Sequence, residues 1–356
     1  MNQFRAFKYL SFLTVPFTVW ICFTARGVWT FLPLLYVFGL VPLMELLLKP
    51  HEANAEKAEE ELRRADRTYD WILYLALPIQ YAFLGYFLYI GREPGLYTYE
   101  ITGRVFGMGI LCGILGINVA HELGHRSTKF EQAIAKVLLL SSLYTHFFIE
   151  HNRGHHKNVS TDEDPASARH GEILYAFWFR SVIGGYWDAW KIEAERLKRN
   201  GLSVWSFHNE MLQWQLAQIL LLGLITGVFG WQTTLGFIAA ATVGFLLLET
   251  VNYIEHYGLR RQTLGEQRFE RVRPAHSWNS NHLVGRVMLF ELSRHSDHHF
   301  VASRKYQLLR HHPDSPQMPT GYPGMMLLAL VPPLWFYVMH RREPLKSQAQ
   351  GEAQIA

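Results

Sequence analysis

The sequence predicts an all-α integral membrane protein: six transmembrane helices with a largely helical, histidine-rich cap on one side. Three observations lead there. Six apolar runs are each long enough to cross roughly 30 Å of hydrocarbon. Eighteen histidines occur among 356 residues, and most cluster near the ends of those runs. The links between runs alternate between very short and very long. Hydrophobic residues make up 49 % of the chain, yet its mean hydropathy is near zero. Apolar runs alternate with stretches rich in charge and histidine.

The runs fall at about 9–25, 28–48, 71–91, 101–120, 212–229 and 232–254. "ARG" joins the first pair, "REPGLYTYE" the second and "GW" the third. No small-residue cleavage site follows the first run, so it is read as an uncleaved span. The side with the short links would hold Arg26, Arg92 and Arg104, leaving 31 of the 34 basic residues on the other side. That positive-inside bias places both termini and the cap in the cytoplasm, in a bacterial inner (cytoplasmic) membrane. Residues 51–67 read as a charged, solvated helix with Glu59–Arg63 and Glu60–Arg64 pairs. Two weaker apolar runs, 133–148 and 321–338, read as helices at or beneath the inner membrane surface. Residues 1–342 form one membrane domain, and 343–356 a polar, disordered tail. Cys22 and Cys112 sit in apolar runs, and no C-x-x-C occurs. The chain therefore carries no iron–sulfur or rubredoxin-like module of its own.

The histidines carry the chemistry. His121 and His125, in "HELGH", lie where the fourth run leaves the membrane. "EHNRGHHKN" adds His151, His155 and His156. "NYIEHYG" ends the sixth run with His256, and "LSRHSDHHF" adds His295, His298 and His299. His121 and His125 share a helix face, as do His151 and His155; His295 shares one with His298 and His299. His156 points about 100° away from His155 on a helix, so such neighbours naturally feed two different metals. Nine imidazoles also exceed the coordination number of about six for one first-row metal. The spacing therefore argues for a metal pair. Lone histidines are usually surface or hydrogen-bonded residues, and His51, His146, His170, His208, His276, His282 and His340 are read that way. His311 and His312 lack a third partner in register and are left out.

"HELGH" alone also reads as a zinc-protease signature, with Glu122 as general base. Seven further clustered histidines weigh against that. A metal transporter would place ligands near mid-bilayer, whereas these sit at span ends. The soluble carboxylate-bridged di-iron pattern needs two E-x-x-H helices, and only "ELGH" occurs. The site is read as nitrogen-rich, with Glu122, Glu150, Asp164, Glu255 and Asp297 placed to hold ring N–H groups from behind.

Together these motifs resemble the integral-membrane alkane 1-monooxygenases (alkane ω-hydroxylases). That family belongs to the membrane di-iron class that includes fatty-acid desaturases and xylene monooxygenase. "NVAHELGHR", "EHNRGHHKNVSTDEDPASAR" and "LSRHSDHHF" look like its three histidine boxes. "NYIEHYGLRR" looks like the stretch that marks the alkane-hydroxylating branch, and "YQLLRHHPDSPQMPTGYPGM" like the C-terminal stretch. The resemblance runs to about residue 330. It implies two non-haem irons, held four and five by His121, His125, His151, His155, His156, His256, His295, His298 and His299. It implies O2-dependent terminal hydroxylation of medium- to long-chain n-alkanes to 1-alkanols. It also implies reduced rubredoxin as donor, with an NAD(P)H-dependent rubredoxin reductase upstream. Iron comes from the resemblance alone, since imidazole suits zinc, copper and nickel as well. A fatty-acyl desaturase or hydroxylase, or a xylene-type methyl hydroxylase, is the alternative.

An alkane offers no polar handle. An apolar channel between the spans, open to lipid, is expected to lead a linear chain end-on to the metals. Trp20, Trp29, Phe38 and Trp71 are candidate walls, although packing or interfacial anchoring is the commoner role for such residues. Residues 256–312 hold ten Lys/Arg against four Asp/Glu. That basic surface suits an acidic donor or anionic lipid. No nucleic-acid partner is expected.

Overall fold

A computed structural model describes residues 3–265 and 268–342; the expected tail at 343–356 lies outside them. Among the described residues there is no β-strand, only two isolated bridges. Six helices are long and apolar enough to cross a membrane: Arg5–Thr24, Gly27–Leu47, Thr68–Ile90, Thr98–Gly124, Glu210–Phe229 and Trp231–His256. The chain is a multi-pass, all-helical membrane protein.

The fourth span is the axis of the bundle. Of its apolar window 83 % is buried, against 11 % for the fifth span at the periphery. It packs closely on the sixth span because glycines let the backbones meet. A Cβ on Gly109 would come within 2.5 Å of Val243, and one on Gly244 within 2.5 Å of the Cys112 Cβ. Close approach of this kind drives helix association in lipid, where burial from water contributes nothing. It sets the ends of the two spans, which carry His121 and His256, beside each other. At the opposite end the short hairpins are tied together. Arg26 donates to Glu93 and to the Gly95 carbonyl, and Arg92 to the Phe229 carbonyl.

Three π-helical segments interrupt the regular geometry: Tyr36–Leu40 in the second span, Cys112–Asn118 in the fourth, and His151–His155 in the cap. Such widened turns are frequent at functional sites.

Neither weak apolar run forms a single helix. In 133–148, the helix Lys129–Leu140 is capped by Thr128, whose hydroxyl accepts from the Glu131 N–H at 3.2 Å. It stops at a turn where Leu143 has φ 52, and Phe147–Glu150 follows. The 321–338 run breaks before Pro332 into Tyr322–Ala329 and Pro332–Met339. Eight residues reach only about 12 Å, so neither piece crosses a bilayer. The charged helix is Lys57–Ala65, with Glu59 and Arg63 paired at 2.6 Å. Glu60 turns away from Arg64 to Arg310, at 2.5 Å. An element the sequence reading did not foresee is the helix Leu174–Arg199. It buries Leu174, Phe177, Ser181 and Ala189 on one face and exposes Phe179, Ile183 and Trp187 on another.

Replacing Gly244 by Leu is expected to overpack the fourth–sixth span contact, costing about 1–3 kcal/mol. The thermal unfolding midpoint in detergent should fall. Gly227→Leu, at a position with nothing within 4 Å, should leave it unchanged.

Candidate metal centre

His121 sits in the last turn of the fourth span and His125 caps it. His256 is the final residue of the sixth span. The second box is a short helix, Phe147–Glu150, a π turn, His151–His155, and one more helical turn, His156–Asn158. The third is the helix His295–Phe300. These four pieces converge, and the nine rings sort into two groups. His121, His125, His151, His156 and His298 form one; His155, His256, His295 and His299 form the other. Within each group the donor atoms all lie within 4.8 Å of one another.

The ring nitrogens face each other closely. The Nε2 of His151 is 3.1 Å from that of His125 and 3.1 Å from that of His156. The His156 Nε2 is also 3.1 Å from that of His298. In the second group His155 and His299 approach to 3.2 Å, and His256 and His295 to 3.2 Å. An imidazole nitrogen offers one proton or one lone pair, so a run of four facing Nε2 atoms is an awkward hydrogen-bond chain. It is a natural ligand set. With metal–nitrogen bonds of about 2.1 Å, ligands at right angles sit about 3.0 Å apart. The donor set fits a non-haem metal site. The groups adjoin, since the His156 and His299 ring centroids are 4.4 Å apart.

The adjacent pairs His155/His156 and His298/His299 each give one ring to each group. His121 and His125 fall in one group, as their spacing suggests, and so do His295 and His299; His151 and His155 belong to different groups, as do His295 and His298. The π turn explains the second box. Its hydrogen bond from the His156 N–H to the His151 carbonyl spans five residues. That brings His156 under His151 and turns His155 to the neighbouring group.

The five carboxylates behave differently from one another. Asp164 Oδ2 accepts from the His155 Nδ1–H at 2.8 Å. This fixes the tautomer and leaves the Nε2 lone pair directed inward. Against its burial, the His155 ring and the Ser167 hydroxyl hold the Asp164 carboxyl below the usual range. Glu255 does not stand behind a ring. Its Oε2 is 3.2 Å from the His295 Nε2, on the donor side, while Oε1 accepts from Tyr322 at 2.6 Å. Glu122 is diverted to Arg126 at 2.6 Å and the Tyr306 N–H at 3.1 Å. Asp297 takes Arg304, the Arg310 N–H and His312 Nε2, the last at 2.7 Å. Glu150 keeps a buried Oε1 with no partner among the described residues, and burial with the nearby Asp164 pushes its carboxyl well up. The remaining histidines join neither group: His311 meets Asn281, His276 Glu270, His282 Ser280, and His170 stacks on His340.

An apolar cavity of about 80 Å³ ends on this centre. Its polar groups are Asn118, His121, His151, Asn252, Glu255 and His295. A wider cavity of about 260 Å³ continues it, sharing Phe38, Ile110, Leu247 and Met326 and reaching the half-exposed Leu327 and Leu330. Each π-helical segment contributes to the inner wall: Val37 and Phe38, Gly113 and Ile114, and His151. Of the proposed aromatic walls only Phe38 lines it; Trp20, Trp29 and Trp71 are exposed on the outside of the bundle. Sequence reasoning missed Asn118 and Asn252. Their positions three before His121 and four before His256 place them on the ligand faces of those helices, which was the available signal.

Seven of the rings outside the spans are driven toward neutrality. Burial takes His125 down to about 3 and His146 to about 4. Burial and neighbouring rings hold His151, His156, His295, His298 and His299 well below the usual imidazole value. Unfolded histidine takes up its proton below about pH 6.5, whereas the folded His125 resists until about 3. In that window the unfolded chain binds more protons, so stability falls as pH falls. Metal-stripped protein should therefore show a declining unfolding midpoint from about pH 6.5 downward; a flat profile would contradict this.

The model of the fatty acid desaturase family matches residues 101–329. Alkane 1-monooxygenase 2 of Pseudomonas aeruginosa is 40 % identical over 337 residues, 93 % of this chain and 89 % of that one. Alkane 1-monooxygenase of Ectopseudomonas oleovorans is 41 % identical over 319 residues, 88 % of this chain and 78 % of that one. The xylene/toluene monooxygenase hydroxylase component of Pseudomonas putida is 30 % identical over 271 residues, 75 % and 72 % respectively. Nine imidazoles in two groups, at the span ends of an all-helical membrane protein, thus accompany a match along nearly the whole chain, and the chain belongs to the alkane 1-monooxygenase family.

Proposed function

We propose that the chain is an O2-dependent alkane 1-monooxygenase in which the nine histidines hold two irons and reduced rubredoxin supplies the electrons. One observation carries the reading: the apolar cavity meets titratable groups only at its histidine end, and its outer part is lined by apolar side chains with Trp178 and Thr250, which are hydrogen-bonded to each other. No charged side chain lines the outer cavity, so a fatty-acyl carboxylate would go unpaired there at considerable cost. A plain hydrocarbon would not. This favours an alkane over an acyl substrate.

The two irons, when bound, supply the oxidising chemistry for R–CH3 + O2 + 2 e⁻ + 2 H⁺ → R–CH2OH + H2O. The chain's own residues do the rest. Phe38, Ile110, Leu247 and Met326 form the neck shared by both cavities. They orient a linear chain so that its terminal methyl meets the histidines first, and their apolar surface excludes water. Asn118 and Asn252 offer polar atoms to the new hydroxyl beside the site. Asp164 holds the His155 ring in place.

Electrons would enter from the other face, where His125 and His156 are the partly exposed rings. The basic stretch expected at 256–312 is less open than its composition suggests. Arg286 and Arg294 pair with Glu291, Arg304 with Asp297, Lys305 with Asp70 and Arg310 with Glu60. Among the described residues, Lys157 beside His156 and Arg268 and Arg271 are exposed cations without a carboxylate partner, and Arg261 links their two loops by donating to the Lys157 carbonyl at 2.9 Å and to the Glu270 carbonyl at 2.6 Å. They suit a small acidic donor. The charge bias of the sequence supports a cytoplasmic site in an inner membrane.

Purified protein given iron, rubredoxin, rubredoxin reductase and NADH is expected to turn n-octane into 1-octanol, and His156→Ala should lose both bound iron and product. An alkene product, or an unaffected variant, would overturn the reading. Asp164→Asn should weaken iron binding about 10–100-fold, measured by competition with a chelator, while Asp162→Asn at the exposed neighbouring position should not.

A further inference from the structure

The end of the bundle remote from the histidines holds a cleft that the proposed reaction does not use. A cleft of about 610 Å³ opens there, walled by Phe23, Tyr86 and Phe229 and edged by Arg92, Glu93 and Arg104. Arg104 is 4 % exposed. Its Nη1 donates to Glu93 at 2.6 Å, but its Nε is buried with no acceptor among the described residues. Arg92 is exposed and donates to the main-chain carbonyls of Phe229, at 2.9 Å, and Val228. Among the described residues no carboxylate pairs with it. Glu93 is shared by Arg26 and Arg104, and Glu100 faces Arg26. Three arginines against two glutamates leave one positive charge over.

We propose that this cleft binds the headgroup of an anionic phospholipid, its phosphate between Arg92 and Arg104 and its first acyl carbons along Phe23, Tyr86 and Phe229. A buried guanidinium N–H without an acceptor is uncommon in a folded protein and calls for one. A phosphate oxygen is the acceptor that a guanidinium fork matches best. The excess charge selects an anion, and the aromatic walls select an amphiphile over free phosphate. The position fits too, because the short hairpins lie at the level where a spanning bundle meets headgroups. A lipid held there would tie the third–fourth hairpin to the end of the fifth span, which packs least into the bundle.

The test is native mass spectrometry of the detergent-purified full chain, titrated separately with phosphatidylglycerol, phosphatidylcholine and inorganic phosphate. Phosphatidylglycerol should be retained several-fold more than phosphatidylcholine and should raise the unfolding midpoint. Arg92→Gln should abolish both effects while keeping the metal content of the wild type. Arg104→Gln should do the same if it folds; Arg92 is exposed and free of carboxylate partners, so its variant tests the site in either case. Equal retention of the two lipids, undiminished phosphatidylglycerol binding by Arg92→Gln, or equal protection by inorganic phosphate alone would each overturn the proposal.

Discussion

Nine imidazoles must direct their lone pairs at two adjoining points on the edge of a membrane, without water to solvate them. Facing Nε2 lone pairs about 3 Å apart repel unless a proton or a metal cation lies between them. The rings cannot hold this arrangement themselves, so the scaffold must. His121 and His256 are fixed because the fourth and sixth spans meet through Gly109 and Gly244, and the two remaining boxes pack against those span ends. Because the site is costly when empty, free energy of metal binding becomes free energy of folding. The interior of the bundle and the chemistry at its end are thus one energetic problem.

The π-helical segments belong to the same problem. A regular helix repeats its faces too strictly to send neighbouring side chains both into a cavity and into a ligand group. One widened turn shifts every later residue around the axis. In the fourth span this happens at Cys112–Asn118, immediately before His121. The fourth span can therefore give Gly113 and Ile114 to the cavity wall and His121 to the ligands. The second box uses the same device to divide His151 and His155 between the groups. In the second span the π segment bears Val37 and Phe38 on the opposite wall.

This is also where the sequence stopped being legible. The spans could be read because length and hydropathy are summed properties that tolerate local irregularity. The nine converging histidines could be picked out because histidines are scarce in apolar runs and their clustering is hard to explain otherwise. The partners within each group could not, since the i,i+4 rule assumes an α-helix and the π turn breaks that assumption at His151–His155. The helix Leu174–Arg199 was hidden for a different reason. It buries one stripe against the cap and exposes another, so neither strong hydropathy nor clean amphipathic alternation marks it. Carboxylates near histidines were equally ambiguous. Glu122 lies inside "HELGH" yet serves Arg126, because the side of a ring that a carboxylate meets depends on tertiary neighbours such as Tyr306.

The carboxylate pattern has a consequence for the two groups. The group of four has Asp164 behind His155 and Glu255 against the Nε2 of His295. The group of five has more nitrogen donors, but Glu122, within its first box, is ion-paired with Arg126. Two identical cations placed in these groups would feel different fields, because a buried negative charge a few ångströms away acts strongly at low dielectric. The cation among four imidazoles is better compensated, and the cation among five relies on donor number. The group of five is also the one with partly exposed rings, His125 and His156, while all four members of the other are buried. Chemical inequivalence and unequal access thus coincide: the group of five meets the cap surface through His125 and His156 and the apolar cavity through His121 and His151, whereas the group of four is closed and meets that cavity through His295 alone.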